Sequence, residues 1–240
     1  MSGSNSMRTP RLSIIVPTLN EASVLAKTLA HIEAHSSGKI AYEVLICDGG
    51  SEDATTAVAL AQQVQLLQAS KRGRAAQLNL GAAHATGELL YFLHADTLPP
   101  PAFDQLICAQ YERGYLSGCF RLKFDVNHWI LQLSGWTSRF NARDFQFGDQ
   151  SLYVQKALFH QLGGFNESLL LMEDVEMVTR IKQSKAAFVV MPQRVLTSAR
   201  KYLAHGVVKT ELTHLIVFGL YVMKVRQTTV ARVYKKLLSR

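Results

Sequence analysis

Leu12-Ser-Ile-Ile-Val-Pro-Thr18 is an apolar run that ends in a proline and a polar turn. A short continuous apolar run of this kind is typical of a strand buried on both faces of a parallel sheet. The next segment, from Val24 to Ile32, carries apolar residues at helical spacing, and a second apolar run, Glu43–Cys47, follows it. This order predicts an α/β fold with a doubly wound, mostly parallel sheet and helices on both faces.

The same alternation continues along the chain. It predicts strands at 64–68, 88–93, 118–124 and 150–154, and helices at 53–63, 75–84, 129–140, 156–162 and 175–181. We therefore expect a disordered or vector-derived tail at 1–10, one domain at 11–202 with halves at 11–100 and 101–202, and a basic amphipathic helical extension at 203–240.

Composition narrows the class of protein. Of the 240 residues, 48% are hydrophobic and 18% are charged, which excludes a disordered chain. Cys47, Cys108 and Cys119 are widely spaced, which argues against a disulfide framework or a zinc knuckle and favours a reducing compartment. The segment Met1–Pro10 lacks the apolar region of a signal peptide. We therefore expect a cytoplasmic protein.

Positive charge is concentrated at the C-terminal end. Residues 201–240 hold eight Lys and Arg against Glu211 alone, whereas residues 1–200 hold 18 basic and 17 acidic residues. This distribution does not favour a nucleic-acid partner, and it indicates an anionic membrane surface or protein partner. The apolar stretch Leu212–Val225 is too short to span a bilayer. Peripheral docking on the inner face of a membrane, or packing of this helix on the core, are the two alternatives.

Polar residues follow three of the predicted strands. Glu21 comes after the first, Asp48 ends the second, and Asp96 follows the strand at 88–93. In a doubly wound sheet, ligands bind outside the carboxyl ends of the strands, so these three ends predict a binding site. Asn20 and Asp53, taken singly, are better interpreted as helix caps.

Several charged residues indicate a site that binds an anionic ligand together with a divalent cation. The segment Lys71–Arg74 precedes a helix N-terminus and is either an anion site or a solvated basic loop. A carboxylate such as Asp96 beside phosphates suits Mg²⁺ or Mn²⁺, with His94 either a second ligand or turned toward the sheet. Of the adjacent Glu173 and Asp174, one is expected to cap or orient and the other is available as a general base.

Four segments, in order, carry a family resemblance: SIIVPTLNEA (13–22), VLICDGGSEDAT (44–55), GRAAQLNLGAAHATGELLYFLHADT (73–97) and GGFNESLLLMEDVEM (163–177). They resemble consecutive motifs of the family-2 glycosyltransferases over roughly residues 12–202. The resemblance implies an A-type nucleotide-diphospho-sugar transferase fold and inverting hexosyl transfer. It is nearest to small bacterial enzymes with His94-Ala-Asp96 in place of the usual Asp-x-Asp, and with Gly148-Asp149-Gln150.

The resemblance also implies roles on the donor side, where 11–100 is the nucleotide-binding half. Asp96 coordinates Mn²⁺ or Mg²⁺, with His94 as a second candidate ligand. Residues assigned to the nucleotide sugar are Pro17, Leu19, Glu21, Asp48, Arg74, Asp96 and Arg200, with Lys201 beside Arg200 as a further candidate for the diphosphate.

The acceptor half, 101–202, carries the remaining assignments. Asp174 matches the catalytic base, while Asp149, Gln150 and Glu173 fall on the acceptor or donor-sugar side. The family's commonest donor is linked to UDP, and the acceptor is either lipid-linked or a small molecule.

Two other functions are alternatives. A sugar-1-phosphate nucleotidyltransferase would carry a Gly-rich loop with Arg and Lys after its first strand, and VPTLNEA at 16–22 has none. A catalytically degenerate module of the same fold, bound to a membrane or partner through its basic C-terminus, is the alternative to an enzyme.

Overall fold

The structure is a computed structural model, and it describes residues 11–140 and 150–239. The strands within these residues are β1 (Leu12–Thr18), β2 (Tyr42–Asp48), β3 (Gln65–Gln68), β4 (Leu89–Phe92), β5 (Thr97–Leu98), β6 (Ser117–Phe124), β7 (Leu152–Gln155) and β8 (Phe188–Thr197). The helices are α1 (Ala22–His35), α2 (Thr55–Ala61), α3 (Arg74–His84), α4 (Phe103–Glu112), α5 (Trp129–Thr137), α6 (Lys156–Gln161), α7 (Glu173–Gln183), α8 (Arg200–His205), α9 (Val207–Val222) and α10 (Gln227–Leu238).

One sheet holds these strands in the order β3-β2-β1-β4-β7-β6-β8-β5. The strands β3, β2, β1 and β4 are parallel, and β6 is parallel to β8. Strand β7 runs antiparallel to both β4 and β6, and β5 runs antiparallel to β8. Parallel pairing therefore predominates among the described strands, as the sequence predicts.

The sheet is covered by helices on both faces. Alternate residues of β1 enter different apolar clusters: Ile14 packs in the cluster that includes α1, α4 and α5, and Ile15 packs in the one that includes α3, α6 and α7. Both side chains are fully buried. This explains why the sequence of β1 is a continuous apolar run rather than an alternating one.

Several predicted boundaries need correction. The helix expected at 53–63 is confined to α2, which begins after the N-cap Ala54, and the carboxylate of Asp53 accepts from the N–H of Thr55 at 2.9 Å. The strand expected at 150–154 begins only at Leu152, since Ser151 has a φ of 58°. The pattern also missed α4, β5 and β8, the last of which contains Pro192 and pairs with β6 across a register shift.

The three cysteines are free and buried, which agrees with the expectation of no disulfide framework. Burial raises the pKa of Cys47 and of Cys119 to about 12, and that of Cys108 to about 11. Each thiol is therefore protonated at neutral pH and is enclosed by apolar neighbours.

The C-terminal extension is helical, as expected, and consists of α9 and α10 packed against each other. None of the helices in residues 11–140 and 150–239 is both long enough and apolar enough to cross a bilayer.

Candidate active site

The loops after β1 and β2 bind each other at the carboxyl edge of the sheet. Asn20, with a φ of 57°, accepts from the N–H of Glu52 at 2.8 Å and donates its own N–H to Ser51 Oγ at 2.9 Å. Asp53 accepts at 3.1 Å from the N–H of Ala22, the first residue of α1. Asp53 is the N-cap residue of neither α1 nor α2, whose N-caps are Glu21 and Ala54, but its carboxylate accepts from the first N–H of each helix. Asn20 joins the two loops.

Asp48 organises the turn that follows β2. Its carboxylate is buried and accepts from the hydroxyl of Thr18 at 3.1 Å, from the N–H groups of Gly50 and Ser51 at 2.9 and 2.8 Å, and from the hydroxyl of Ser51 at 2.5 Å. These four donors occupy the acceptor positions of the carboxylate. In this structure Asp48 fixes the turn after β2, and its contact with a nucleotide stays a prediction.

Gln77 of α3 is a residue of this edge that the sequence pattern missed. Its buried Nε2 donates to the carbonyl oxygens of Thr18 and Cys47, each at 2.7 Å, and so joins the ends of β1 and β2. The available signal was a glutamine among the buried positions of an otherwise apolar helix face, which includes Ala75 and Leu78. A buried amide in such a position needs partners.

Asp96 and Glu21 meet on the guanidinium of Arg200. Nη2 of Arg200 donates to a carboxylate oxygen of Glu21 and lies 3.2 Å from Oδ2 of Asp96. Burial raises the pKa of Glu21 above its ordinary value, although the hydrogen bond from Arg200 opposes this. Burial lowers the pKa of Arg200, but the two carboxylates outweigh burial and raise it overall. Residues that follow β1, β4 and β8 therefore lie next to each other at the carboxyl edge of the sheet.

The strand β8, absent from the sequence prediction, brings Arg200 to this point. Thr197 at its end pairs with Thr97 of β5, and the N–H of Ser198 donates to the carbonyl of Asp96 at 3.1 Å. Asp125, directly after β6, accepts from the N–H of Ala199 at 2.8 Å and fixes the turn before Arg200. Asp125 lies at a strand end, as Asp96 does, so the same rule could have identified it.

The second cluster surrounds Arg74, the first residue of α3. Its Nε donates to Oε1 of Glu173, its Nη2 lies 3.9 Å from Oδ2 of Asp174, and its Nη1 lies 3.5 Å from Nε2 of His94. The Glu173 side chain is 1% exposed, that of Asp174 is 17% exposed and that of Arg74 is 38% exposed. These four residues line one cavity together with Phe92.

Neither acid at the start of α7 caps the helix. The N-cap is Met172, with a φ of 67°, and no side chain accepts a capping hydrogen bond there. The expectation that one of the two acids is the N-cap is therefore wrong, whereas its alternative, an orienting role, fits the contact of Glu173 with Arg74. Glu173 instead orients Arg74, and Asp174 lies in the first helical turn, where its Oδ1 accepts from the N–H of Val175 at 2.8 Å.

The other predicted residues fall in different surroundings. Leu19 is 55% exposed after β1, and Pro17 is half-buried within that strand. Gln150 is buried and accepts from the thiol of Cys119 at 3.2 Å. Asp149 lies outside the described residues. Lys201 contacts Tyr234 of α10 rather than the group formed by Arg200, Glu21 and Asp96, here called the Arg200 cluster.

The donor set at Asp96 suits a hard cation. Two carboxylates, those of Asp96 and Glu21, already converge on the positive charge of Arg200. Within residues 11–140 and 150–239 no group of three or more His, Cys, Asp or Glu side chains is arranged to hold a metal ion. A cation at Asp96 would thus take oxygen ligands from phosphates and water as well, which is how Mg²⁺ usually binds.

Curated relatives match less than half of the chain. The chain is 36% identical over 110 residues to a dolichyl-phosphate beta-glucosyltransferase of Drosophila melanogaster, and 32% identical over 96 residues to the glycosyltransferase AglE of Haloferax volcanii. These matches cover 40% and 38% of this chain, and 34% and 32% of the relatives. The chain thus spans about a third of the length of these relatives.

Solved structures share the fold over most of the chain. The mannosyltransferase PcManGT from Pyrobaculum calidifontis, in complex with GDP-Man and Mn²⁺, superposes with a TM-score of 0.69 at 20% identity, covering 90% of this chain and 65% of that one. TarS 1-349 of S. aureus in complex with UDP superposes with a TM-score of 0.65 at 15% identity, covering 96% and 71%. The fold is therefore the A-type nucleotide-diphospho-sugar transferase fold.

The family model described as "Glycosyl transferase family 2" matches residues 13–161. This match runs from β1 through α6 and includes both loops that form the carboxyl edge of the sheet. The chain belongs to glycosyl transferase family 2.

Proposed function

We propose that this protein is an inverting glycosyltransferase that moves a hexosyl group from a nucleotide-diphospho-sugar to an acceptor hydroxyl. The observation that carries the proposal is the cavity shared by Arg74, His94, Glu173 and Asp174. An acid and a guanidinium lie together there, at the edge of the sheet where Asp96 and Arg200 also lie. Such an arrangement supplies a base and stabilises a departing anion at one site.

Asp174 is the proposed general base. Its carboxylate is partly accessible and lies in the first turn of α7, while Glu173 beneath it is buried against Arg74. The acceptor oxygen attacks the anomeric carbon, the bond from that carbon to the diphosphate oxygen breaks, and its electron pair leaves with the diphosphate. Asp174 takes the proton of the hydroxyl. A single displacement without a covalent intermediate inverts the anomeric centre.

Arg74 and Arg200 are the proposed stabilisers of the leaving diphosphate. Arg200 is 40% exposed on its side chain, so it can turn from the carboxylates of Glu21 and Asp96 toward a phosphate. Guanidinium groups bind phosphate oxygens in pairs, which fixes position as well as charge. A divalent cation, Mn²⁺ or Mg²⁺, would neutralise further charge on the diphosphate when held by Asp96, with His94 beside it.

The donor and acceptor are proposed from chemistry shared with the relatives. PcManGT is described with GDP-Man, and TarS with UDP and with UDP-GlcNAc, so both bases occur on this fold. We propose a UDP-linked sugar as the donor. The Drosophila relative is named for dolichyl phosphate, which favours a lipid-linked acceptor over a small molecule.

Ligand-dependent thermal stabilisation tests the donor first. The protein is screened against UDP, GDP and their sugar conjugates, with Mn²⁺, with Mg²⁺ and with a chelator. We expect stabilisation by a uridine diphosphate compound that increases with the divalent ion. With the donor known, NMR of the transferred sugar reports the anomeric configuration. Retention would contradict the single displacement, and stabilisation without any turnover across acceptors would favour the degenerate binding module.

A further inference from the structure

Helix α9 is oriented with its apolar side outward. The buried positions of this helix are Thr210, Thr213 and Val217. Six apolar side chains along the helix and just after it are between 45% and 68% exposed: Val208, Leu212, Leu215, Ile216, Val222 and Met223. A helix on the surface of a globular protein normally shows the opposite pattern. We call these six residues the apolar face of α9.

The neighbouring helix adds exposed aromatic groups. Helix α5 packs against α9, and Trp129 and Trp136 of α5 are 71% and 47% exposed. These are the two tryptophans of the chain. Leu133, between them, is 54% exposed. Tryptophan is enriched where an apolar layer meets water, as at the headgroup level of a bilayer.

Basic residues accompany the apolar face. Residues 201–240 carry a net charge of +7, and Lys224 and Arg226 directly follow the last exposed apolar residue. Lys209, at the other end of α9, is exposed, and Lys235 and Lys236 are exposed on α10. Within α9 the charged residues are Lys209 and Glu211, so the excess of cations comes from the residues after α9 and from α10. An apolar helix face with cations on neighbouring segments suits the interface of an anionic membrane.

We propose that the apolar face of α9, with the tryptophans of α5 beside it, binds the surface of an anionic phospholipid membrane. Helix α9 has 16 residues, a length of about 24 Å, which is less than the ~30 Å hydrocarbon core, so it lies on the bilayer rather than across it. A second copy of the chain fits the face less well, because a two-fold interface would bring two segments of charge +7 together.

This docking is independent of the proposed catalysis, because no residue of the apolar face lies in the Arg74 cavity or the Arg200 cluster. It extends the proposed function by placing the enzyme where a lipid-linked acceptor is located. Binding to vesicles and transfer of sugar can therefore fail separately.

Vesicle flotation of the full chain tests the proposal. We expect binding to vesicles of phosphatidylglycerol and phosphatidylcholine, weaker binding as salt rises, and little binding to phosphatidylcholine alone. The triple variant Leu212→Gln, Leu215→Gln, Ile216→Gln should bind at least about tenfold more weakly, since three inserted side chains become polar. The control is Leu60→Gln on α2, where Leu60 is 63% exposed and lies outside the face. It should bind as the parent protein does.

Tryptophan fluorescence gives a readout that needs no variant. Because both tryptophans lie on α5, their emission reports that helix alone. We expect a blue shift on anionic vesicles and quenching by lipids brominated in the acyl chain. Absence of binding to anionic vesicles at low salt, or equal binding by the triple variant, overturns the proposal. A lipid-free dimer that the triple variant converts to a monomer would assign the face to a second copy instead.

Discussion

Arg74 donates from Nε to the carboxylate of Glu173, although ninety-nine positions separate the two residues in the chain. The contact links the first residue of α3 to the first residue of α7 and closes one side of the cavity that holds Asp174. Glu173 is buried, and among the described residues its Oε2 has no hydrogen-bond partner. The ion pair of Arg74 and Glu173 therefore contributes to the stability of the fold and to the shape of the cavity.

Loss of Arg74 should cost more stability than loss of Arg200. Arg74→Ala leaves the Glu173 carboxylate, which is 1% exposed, without its cation, and we expect the free energy of unfolding to fall by about 3 kcal/mol. Arg200→Ala leaves the carboxylates of Glu21 and Asp96 without their cation. Because these side chains are 21% and 22% exposed and water reaches them, the free energy of unfolding should fall by about 1 kcal/mol or less. Urea unfolding measures both. Equal losses would contradict the role given to burial.

Asp174→Asn should abolish most of the transfer activity without affecting donor binding. The amide has nearly the same size but cannot accept the proton of the acceptor hydroxyl at neutral pH. We expect the turnover number to fall by about 10²–10⁴-fold. Glu173→Gln should be milder, because it orients Arg74 and does not accept the proton. Glu176→Gln, also in the first turn of α7, is the control and should retain activity. Transfer by Asp174→Asn within a few-fold of the parent would refute the mechanism.

Asp96→Ala should weaken metal-dependent nucleotide binding. The carboxylate is the proposed protein ligand for the cation, so calorimetry with a nucleoside diphosphate and Mn²⁺ should show a loss of affinity. The same titration with a chelator present should show little difference between variant and parent. Unchanged affinity in both titrations would remove Asp96 from the metal site.

Glu21 should give stability a specific dependence on pH. Burial raises its pKa in the folded protein, so its favourable contribution is complete below the ordinary value and is lost as pH rises through the raised value. Glu21→Gln removes the titrating group. The difference in unfolding free energy between parent and Glu21→Gln should therefore shift in favour of the parent as pH falls through that window. Urea unfolding across a pH series measures this, and a constant difference would contradict it.

Gln77→Leu should destabilise the carboxyl edge of the sheet. It removes the Nε2 hydrogen bonds to the carbonyl oxygens of Thr18 and Cys47, and each lost hydrogen bond costs about 0.5–1.5 kcal/mol, although Thr18 keeps the N–H of Gly49 as a donor at 2.9 Å. Gln62→Leu, at an exposed position at the end of α2, should change stability by about 0.5 kcal/mol or less. Thermal or urea unfolding compares the two. Similar small effects would show that the carbonyl groups find other donors.

Most of the first hundred residues were predictable because β1, β2 and β4 are short apolar runs followed by polar turns, whereas the two-residue strand β5 was missed. The positions of Asp48 and Asp96 at one edge follow from that pattern and from parallel pairing. The contact between Asp96 and Arg200 was not predictable in detail, because it depends on β8 pairing with β5 at Thr197 and Thr97, one hundred positions apart. Neither strand has a regular apolar alternation.

The C-terminal extension shows a different limit on prediction from the sequence. Its charge and helical spacing were evident in the sequence, but the apolar stripe of α9 gave no indication of which side faces the protein. The structure turns Thr210 and Thr213 inward, where the hydroxyl of Thr213 donates to the carbonyl of Lys209 at 2.7 Å. Thr213 satisfies its hydroxyl within its own helix and can be buried at little cost, whereas the buried hydroxyl of Thr210 has no hydrogen-bond partner among the described residues. Hydrophobicity alone therefore assigns the wrong side to the interior.

The burial of Cys47, Cys108 and Cys119 makes this protein a convenient background for site-specific labelling. A maleimide reacts with an accessible thiolate, and all three native thiols are enclosed and protonated. A single cysteine introduced at an exposed position, such as Leu60, would carry a fluorophore or spin label without removal of the native residues. Distances between α2 and a second label on α10 could then be followed while donor and lipid are added.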